Sequence, residues 1–226
     1  MSAQTPVTPE TNVKDAEARA IGFWEQNSKK ILTFSAVVIV AVGAFLGYKN
    51  FVQLPGEEKA AEDMFKAEEY FRQDSVAKAL NGDGLNAGFL KIIERHSGTD
   101  AANLAHYYAG ASFLKQGDFN NAVKYLQGFK SGTPTIQARA YGLLGDAYAE
   151  LGKKDEAVDM YKKAGNAVPE DESFSSEYLF RAGYLLESNG KNKEAIEIYK
   201  VIKQKYPRTQ RGYDIDKYLA RIGEVK

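Results

Sequence analysis

Two hydrophobic patterns divide the chain. Residues 31–48, ILTFSAVVIVAVGAFLGY, are 18 consecutive uncharged and mostly apolar positions. Beyond residue 57 the bulky apolar residues instead recur at steps of three to four among charged ones, the mark of helices that bury one face. The first pattern predicts a membrane-spanning helix and the second an array of packed helices. The expected fold class is all-α, with a single N-terminal transmembrane helix followed by an α-solenoid.

As a helix the apolar run spans roughly 27 Å, and Phe51 and Val52 extend it toward the ~30 Å hydrocarbon core of a bilayer. Lys29 and Lys30 precede it and Lys49 follows, while Phe23, Trp24, Tyr48 and Phe51 are placed as interfacial aromatics. Thirty residues come before the run, and YKNFVQLPGEE after it offers no small-x-small cleavage site, so a retained anchor over 31–52 is expected, not a signal peptide. The tail, 1–30, carries Arg19, Lys29 and Lys30, against Lys49 and Lys59 on the other side, which orients the N-terminus to the cytoplasm. Within the tail, SAQTPVTPET reads as unstructured. Residues 14–27 read either as an amphipathic helix with Ile21 and Trp24 toward the membrane or as a solvated tail. Gly43 and Gly47 make a GxxxG spacing, which short glycine-containing apolar runs often produce by chance.

After Pro55-Gly56, expected to end the anchor helix, the chain repeats itself. Three blocks take their register from Ala122, Ala157 and Ala195. Twelve residues before each lies Gly110, Gly145 or Gly183, and five before each lies Gly117, Gly152 or Gly190. Four residues after come Leu126, Tyr161 and Tyr199; twelve after come Pro134, Pro169 and Pro207. This is the signature of helix hairpins. Small residues stand where two antiparallel helices approach, a glycine turns the chain, and a proline ends the second helix. The blocks resemble tetratricopeptide repeats.

On that basis the domain runs over 57–226, with repeats at about 57–97, 103–134, 138–169 and 176–207 and a capping helix at 210–223. The first repeat is degenerate. AAEDMFKAEEYF is its first helix, NGDGLNAG a loosened turn, and FLKIIERHSGT echoes the IYKVIKQKYPRT that closes the last block. In the cap, Ile215, Tyr218, Leu219 and Ile222 form one apolar stripe.

Little chemistry is encoded. Lysine plus arginine and aspartate plus glutamate each total 30, a balance that argues against binding a phosphate backbone. The absence of cysteine excludes disulfides, zinc knuckles and thiol catalysis. His96 and His106 have no metal-ligand spacing and no accompanying nucleophile motif. Gly82, Gly84 and Ala87 match a dinucleotide pattern without the strand it needs, and NGDG begins like a calcium loop that Leu85 then breaks. No enzyme activity, cofactor or metal is expected.

The repeat resemblance implies that the first helix of each pair lines a groove for extended or helical peptide. Candidate lining residues are Tyr107, Lys115, Arg139, Asp146, Glu150, Phe180, Tyr184 and Glu187. The family's carboxylate clamp is absent, because the middle block offers Gly142, Asp146 and Glu150 in its place. A tail ending in FWEQNSKK, one anchor and a small repeat domain together resemble the bacterial YfgM-like family of ancillary SecYEG translocon subunits. That resemblance implies an inner-membrane protein with periplasmic repeats. Its partners would be SecYEG, a membrane-anchored prolyl isomerase and translocating polypeptides on their way to chaperones. The alternatives are a scaffold of another envelope assembly or secretion complex, or, with topology reversed, a cytosol-facing receptor.

Overall fold

The computed structural model describes residues 9–224, which fall into two units that divide between Pro55 and Gly56. Of SAQTPVTPET, expected to be unstructured, residues 2–8 lie outside the described residues and residues 9–11 are helical. From Pro9 the chain is helical: α1 covers Pro9–Tyr48, so residues 14–27 are helix. The apolar window of this helix has none of its surface buried. It is the one helix among the described residues long and apolar enough to cross a membrane.

Pro55-Gly56 does not end the helical path as expected. A π-helical turn occupies Lys49–Gln53, with the Leu54 N–H bonded to the Lys49 carbonyl, and α2 begins at Leu54. Pro55 therefore lies inside a continuous helical path, directly after the π-helical turn.

The second unit is a succession of helices: α2 (Leu54–Arg72), α3 (Val76–Asn81), α4 (Phe89–Arg95), α5 (Asp100–Gln116), α6 (Phe119–Gly128), α7 (Pro134–Glu150), α8 (Lys154–Ala167), α9 (Glu172–Ser188), α10 (Asn192–Lys205) and α11 (Gln210–Arg221). Helices α5/α6, α7/α8 and α9/α10 are three hairpins, and each also packs on the next. Their turns are alike. Gly117, Gly152 and Gly190 take φ of +77°, +70° and +73°. Each donates its N–H to a carbonyl three residues back, and the residue after it donates five back, to Phe113, Tyr148 and Leu186.

Inside each hairpin the small first-helix residue faces one large side chain. A Cβ placed on Gly110, Gly145 or Gly183 would lie 2.4–2.5 Å from Leu126, Tyr161 or Tyr199 respectively. The glycine and the bulky residue are thus lock and key, and Ala122, Ala157 and Ala195 are fully buried beside them. Burying a ring such as Tyr199 completely contributes about 1.5–3 kcal/mol, and the glycine is what makes room for it.

The degenerate hairpin differs from expectation. Its turn is not NGDGLNAG but Gln73-Asp74-Ser75: Asp74 has φ +57°, and the Ser75 N–H bonds to Tyr70 O, as in the glycine turns. Ala67, Asp74 and Ala79 carry the same offsets as Gly110, Gly117 and Ala122. NGDGLNAG is instead an insertion in the second helix, separating α3 from α4. Ala79 is 18 residues before Ser97, whereas Ala195 is 12 before Pro207, so six residues have been added. Beyond them Phe89 occupies the place of Tyr199, fully buried and stacked on Tyr108 at 5.2 Å. The loop is tied by Asp83, whose carboxylate accepts from the Leu85 and Asn86 N–H groups, the Asn86 side chain and Tyr70 Oη (2.6 Å).

The echo between FLKIIERHSGT and IYKVIKQKYPRT is structural. Thr99 and Thr209 each donate a side-chain bond, to His96 O and Tyr206 O, and each caps the following helix by accepting from Ala102 N and Gly212 N. On α11, Ile215 and Leu219 are buried, with Tyr218 and Ile222 packed beside them against α9 and α10. Counted from the capping Thr209 as Gly110 is from Thr99, its small-residue position is Ala220, which is exposed. Asp216, one turn earlier, pairs with Lys203 of α10 at 2.6 Å.

Candidate protein-binding face

α5 packs on α7 and α9 on α11, while α6, α8 and α10 pack principally on first helices. The first helices together make one face of the array, the face that the repeat resemblance expects to bind. Three residues back from the small position lie Tyr107 on α5, Gly142 on α7 and Phe180 on α9. The gap at Gly142 is filled from the neighbour. A Cβ there would lie 2.5 Å from the Tyr178 hydroxyl, so the ring of α9 rests on the backbone of α7.

Around these rings runs a ladder of charge. Asp146 on α7 accepts from Arg181 Nη1 at 2.9 Å and from Tyr161 Oη at 2.8 Å. Arg181 also donates to Glu177 at 2.9 Å, and Glu177 accepts from Arg211 of α11 at 2.7 Å. Glu187 holds Arg221 through two bonds, 2.6 and 2.8 Å, and accepts from Tyr199 Oη at 2.8 Å. Burial pushes Glu177 up, but its bonds from Arg211 and Arg181 outweigh that and hold it below its ordinary value; Glu187 is lowered in the same way by Arg221 and Tyr199. The Tyr161 and Tyr199 hydroxyls are driven well up, first by burial and then by the carboxylates they face. With the Arg181 and Asp146 side chains about a third exposed, each such pair is worth roughly 0–1 kcal/mol. Their effect is to fix side chains, not to carry stability.

The eight residues singled out from the sequence fare differently. Lys115 is paired with Asp74 at 2.6 Å and lies over the Phe71 ring, binding α5 to the preceding turn. Asp146 and Glu187 are committed to the ladder. Phe180 is not a surface ring: it is 7% exposed, with the Arg211 guanidinium 3.9 Å from its centroid and Tyr218 against its edge. Tyr107 is half-buried between Tyr108 and Phe129. Arg139 and Glu150 are exposed, and Tyr184 is 50% exposed. Residues that sequence reasoning missed are Tyr178, Glu177, Arg181, Arg211 and Arg221. A signal existed for the charged ones: Asp146 and Arg181 are 35 residues apart, and Glu177–Arg211 and Glu187–Arg221 are each 34 apart, opposite charges at nearly constant spacing.

No group of three histidine, aspartate or glutamate side chains among the described residues could hold a metal. The calcium-like Asp83 has both oxygens occupied by its own loop and Tyr70.

Repeated hairpins with glycine notches, shared turns and a first-helix face define the architecture, and a family model for the tetratricopeptide repeat-like domain matches residues 22–215. The chain belongs to that family. Among solved structures, this tetratricopeptide repeat-like chain is similar to MamA 41-end from Desulfovibrio magneticus RS-1, at 22% identity and a TM-score of 0.50, covering 63% of this chain and 73% of that one. It is also similar to the MamA RS-1 ArsTM double mutant, at 19% identity and a TM-score of 0.52, covering 70% and 76%. At these identities the likeness is one of fold. No curated protein matches the chain. The family match begins nine residues before the apolar run and ends within α11, so it takes in the apolar helix as well as the repeats.

Proposed function

We propose that this chain is a membrane-anchored protein-binding scaffold of the YfgM-like kind, accessory to the Sec translocon, that passes emerging polypeptides to periplasmic chaperones. The observation that carries the reading is the pairing of two features in one family match: an apolar helix with no buried surface in its central window, and a repeat domain whose first-helix face presents rings and fixed charges. α1 spans the inner membrane with its N-terminus in the cytoplasm, where Lys29 and Lys30 abut the bilayer, and the repeats face the periplasm. SecYEG, a membrane-anchored prolyl isomerase and translocating chains are its partners. The domain bounds 1–30, 31–52 and 57–226 follow from the same reading.

The test is photo-crosslinking in intact membranes from a reactive residue at Tyr184, with protease accessibility of the repeats in spheroplasts. Recovery of translocon subunits, and cleavage only after the outer membrane is opened, is the expected result. Crosslinks confined to a different envelope complex, or repeats digested only after lysis, would overturn the assignment to the translocon or to the periplasm.

A further inference from the structure

We propose that α11 docks a second copy of this chain, pairing antiparallel with the same helix of that copy. This pairing is independent of the scaffold reading. Its basis is an unfilled notch. In each hairpin from α5 to α10 a small residue on the first helix meets a bulky side chain of the second: Gly110 meets Leu126, Gly145 meets Tyr161 and Gly183 meets Tyr199. α11 has the cap of a first helix and Ala220 at the small position, yet among the described residues no second helix packs over it. Ala220 is exposed instead, lining a groove of about 580 Å³ between α10 and α11 together with Leu219, Lys200, Lys203 and Glu224. The charges along that groove cancel, because Lys203 pairs with Asp216 and Lys200 with Glu224, each at 2.6 Å. What the groove lacks is a bulky apolar group, not a counter-ion.

The same helix face carries the group that fits. Tyr213 lies seven residues before Ala220, nearly two helical turns and therefore on the same side, and it is 74% exposed. Between them stand Asp216 and Lys217, both exposed. When α11 is laid antiparallel on a second copy so that Tyr213 of one chain meets Ala220 of the other, this stripe is complementary to itself. Asp216 then faces Lys217 of the other copy, and both contacts recur across the twofold axis. Lys217 is available for this, since its contact to Asp214 within the chain is long, 3.7 Å. A parallel arrangement would set Asp216 against Asp216 and Lys217 against Lys217, so charge selects the antiparallel register. Both exposed rings leave water, each entering the notch that the other hairpins fill from their own second helix.

The experiment is sedimentation equilibrium of the full chain in density-matched detergent micelles, over about 1 to about 100 μM protein. A monomer–dimer equilibrium is expected, and Tyr213→Ala should raise its Kd at least about tenfold. Asp216→Lys and Lys217→Glu each set like charges against each other across the axis, and each alone should raise the Kd about tenfold. Mixed in equal amounts, these two variants should pair with each other within about threefold of the unaltered chain, because the two reversals then face one another. All the altered side chains are exposed, so circular dichroism and the melting curve should be unchanged, and Lys162→Ser on α8 serves as the unaffected control. A chain that stays monomeric throughout overturns the proposal. So does a dimer indifferent to Tyr213→Ala and to both reversals, as pairing through α1 alone would be, or a mixture that fails to recover. The scaffold reading is decided separately, by the crosslinks from position 184.

Discussion

The first hairpin and the three that follow solve one geometric problem with different residues. Both kinds turn through a residue of positive φ, bonded to the same carbonyls, and both bury an alanine five residues later. In the later hairpins glycine supplies the turn and a second glycine admits a large side chain. In the first, Asp74 takes the strained conformation and Ala67 stands at the notch, while a six-residue insertion splits the second helix. The comparison teaches that the turn is dictated by where the two helices meet, and that glycine only makes it cheaper.

The comparison is broken most severely at the notch. Gly145→Val would force a branched side chain into the ring of Tyr161 and is expected to lower stability by about 2–3 kcal/mol, read from urea unfolding of the full chain in detergent. Ala67→Gly, the reciprocal change in the first hairpin, should cost only about 1 kcal/mol from helix propensity. Next comes the turn: Gly152→Val at φ +70° should cost about 1–2 kcal/mol.

Acid should separate the hairpins without mutation. His106 on α5 has a buried Nδ1 with no hydrogen-bond partner, close against Gly128 of α6, and burial holds its pKa below 6.5. Below that value the unfolded chain takes up the proton more readily than the folded one, so stability is full above pH 6.5 and falls as pH drops through it. Asp83 in the first hairpin is held well below its ordinary 3.8, chiefly by the Asn86 N–H and the Tyr70 hydroxyl, so its contribution is present above 3.8 and is lost only in stronger acid. Amide-exchange protection at about pH 5.5 should therefore fall in α6 before it falls in the 82–88 loop, and His106→Leu should remove that order. Loss of protection in the loop first would reject this account. The smallest effect belongs to Asp74→Gly, which relieves a strained turn at the expense of an exposed ion pair and should change stability by no more than about 0.5 kcal/mol.

Much of this was legible without coordinates. The spacing of Gly110, Gly117, Ala122, Leu126 and Pro134, repeated twice more, specified helix hairpins because each residue answers a local steric demand. The first hairpin was misread at its turn because Asp74 does not look like a turn glycine, and NGDGLNAG does. The offsets from Ala67 to Asp74 to Ala79 held the answer, but only a second helix packed on α2 shows that they matter. The binding face was less legible still. Phe180, Asp146, Lys115 and Glu187 were placed on the right helices, yet whether a side chain is offered or consumed depends on partners one repeat away.

By itself, then, the sequence determined helices, hairpins and an apolar span, because these depend on contacts inside one hairpin and on side-chain size. Tertiary structure alone decided which charges cancel and which rings stay open. Arg181 and Asp146, or Arg211 and Phe180, meet only when successive hairpins stack, and an ion pair or a buried ring is a property of that meeting and not of either residue.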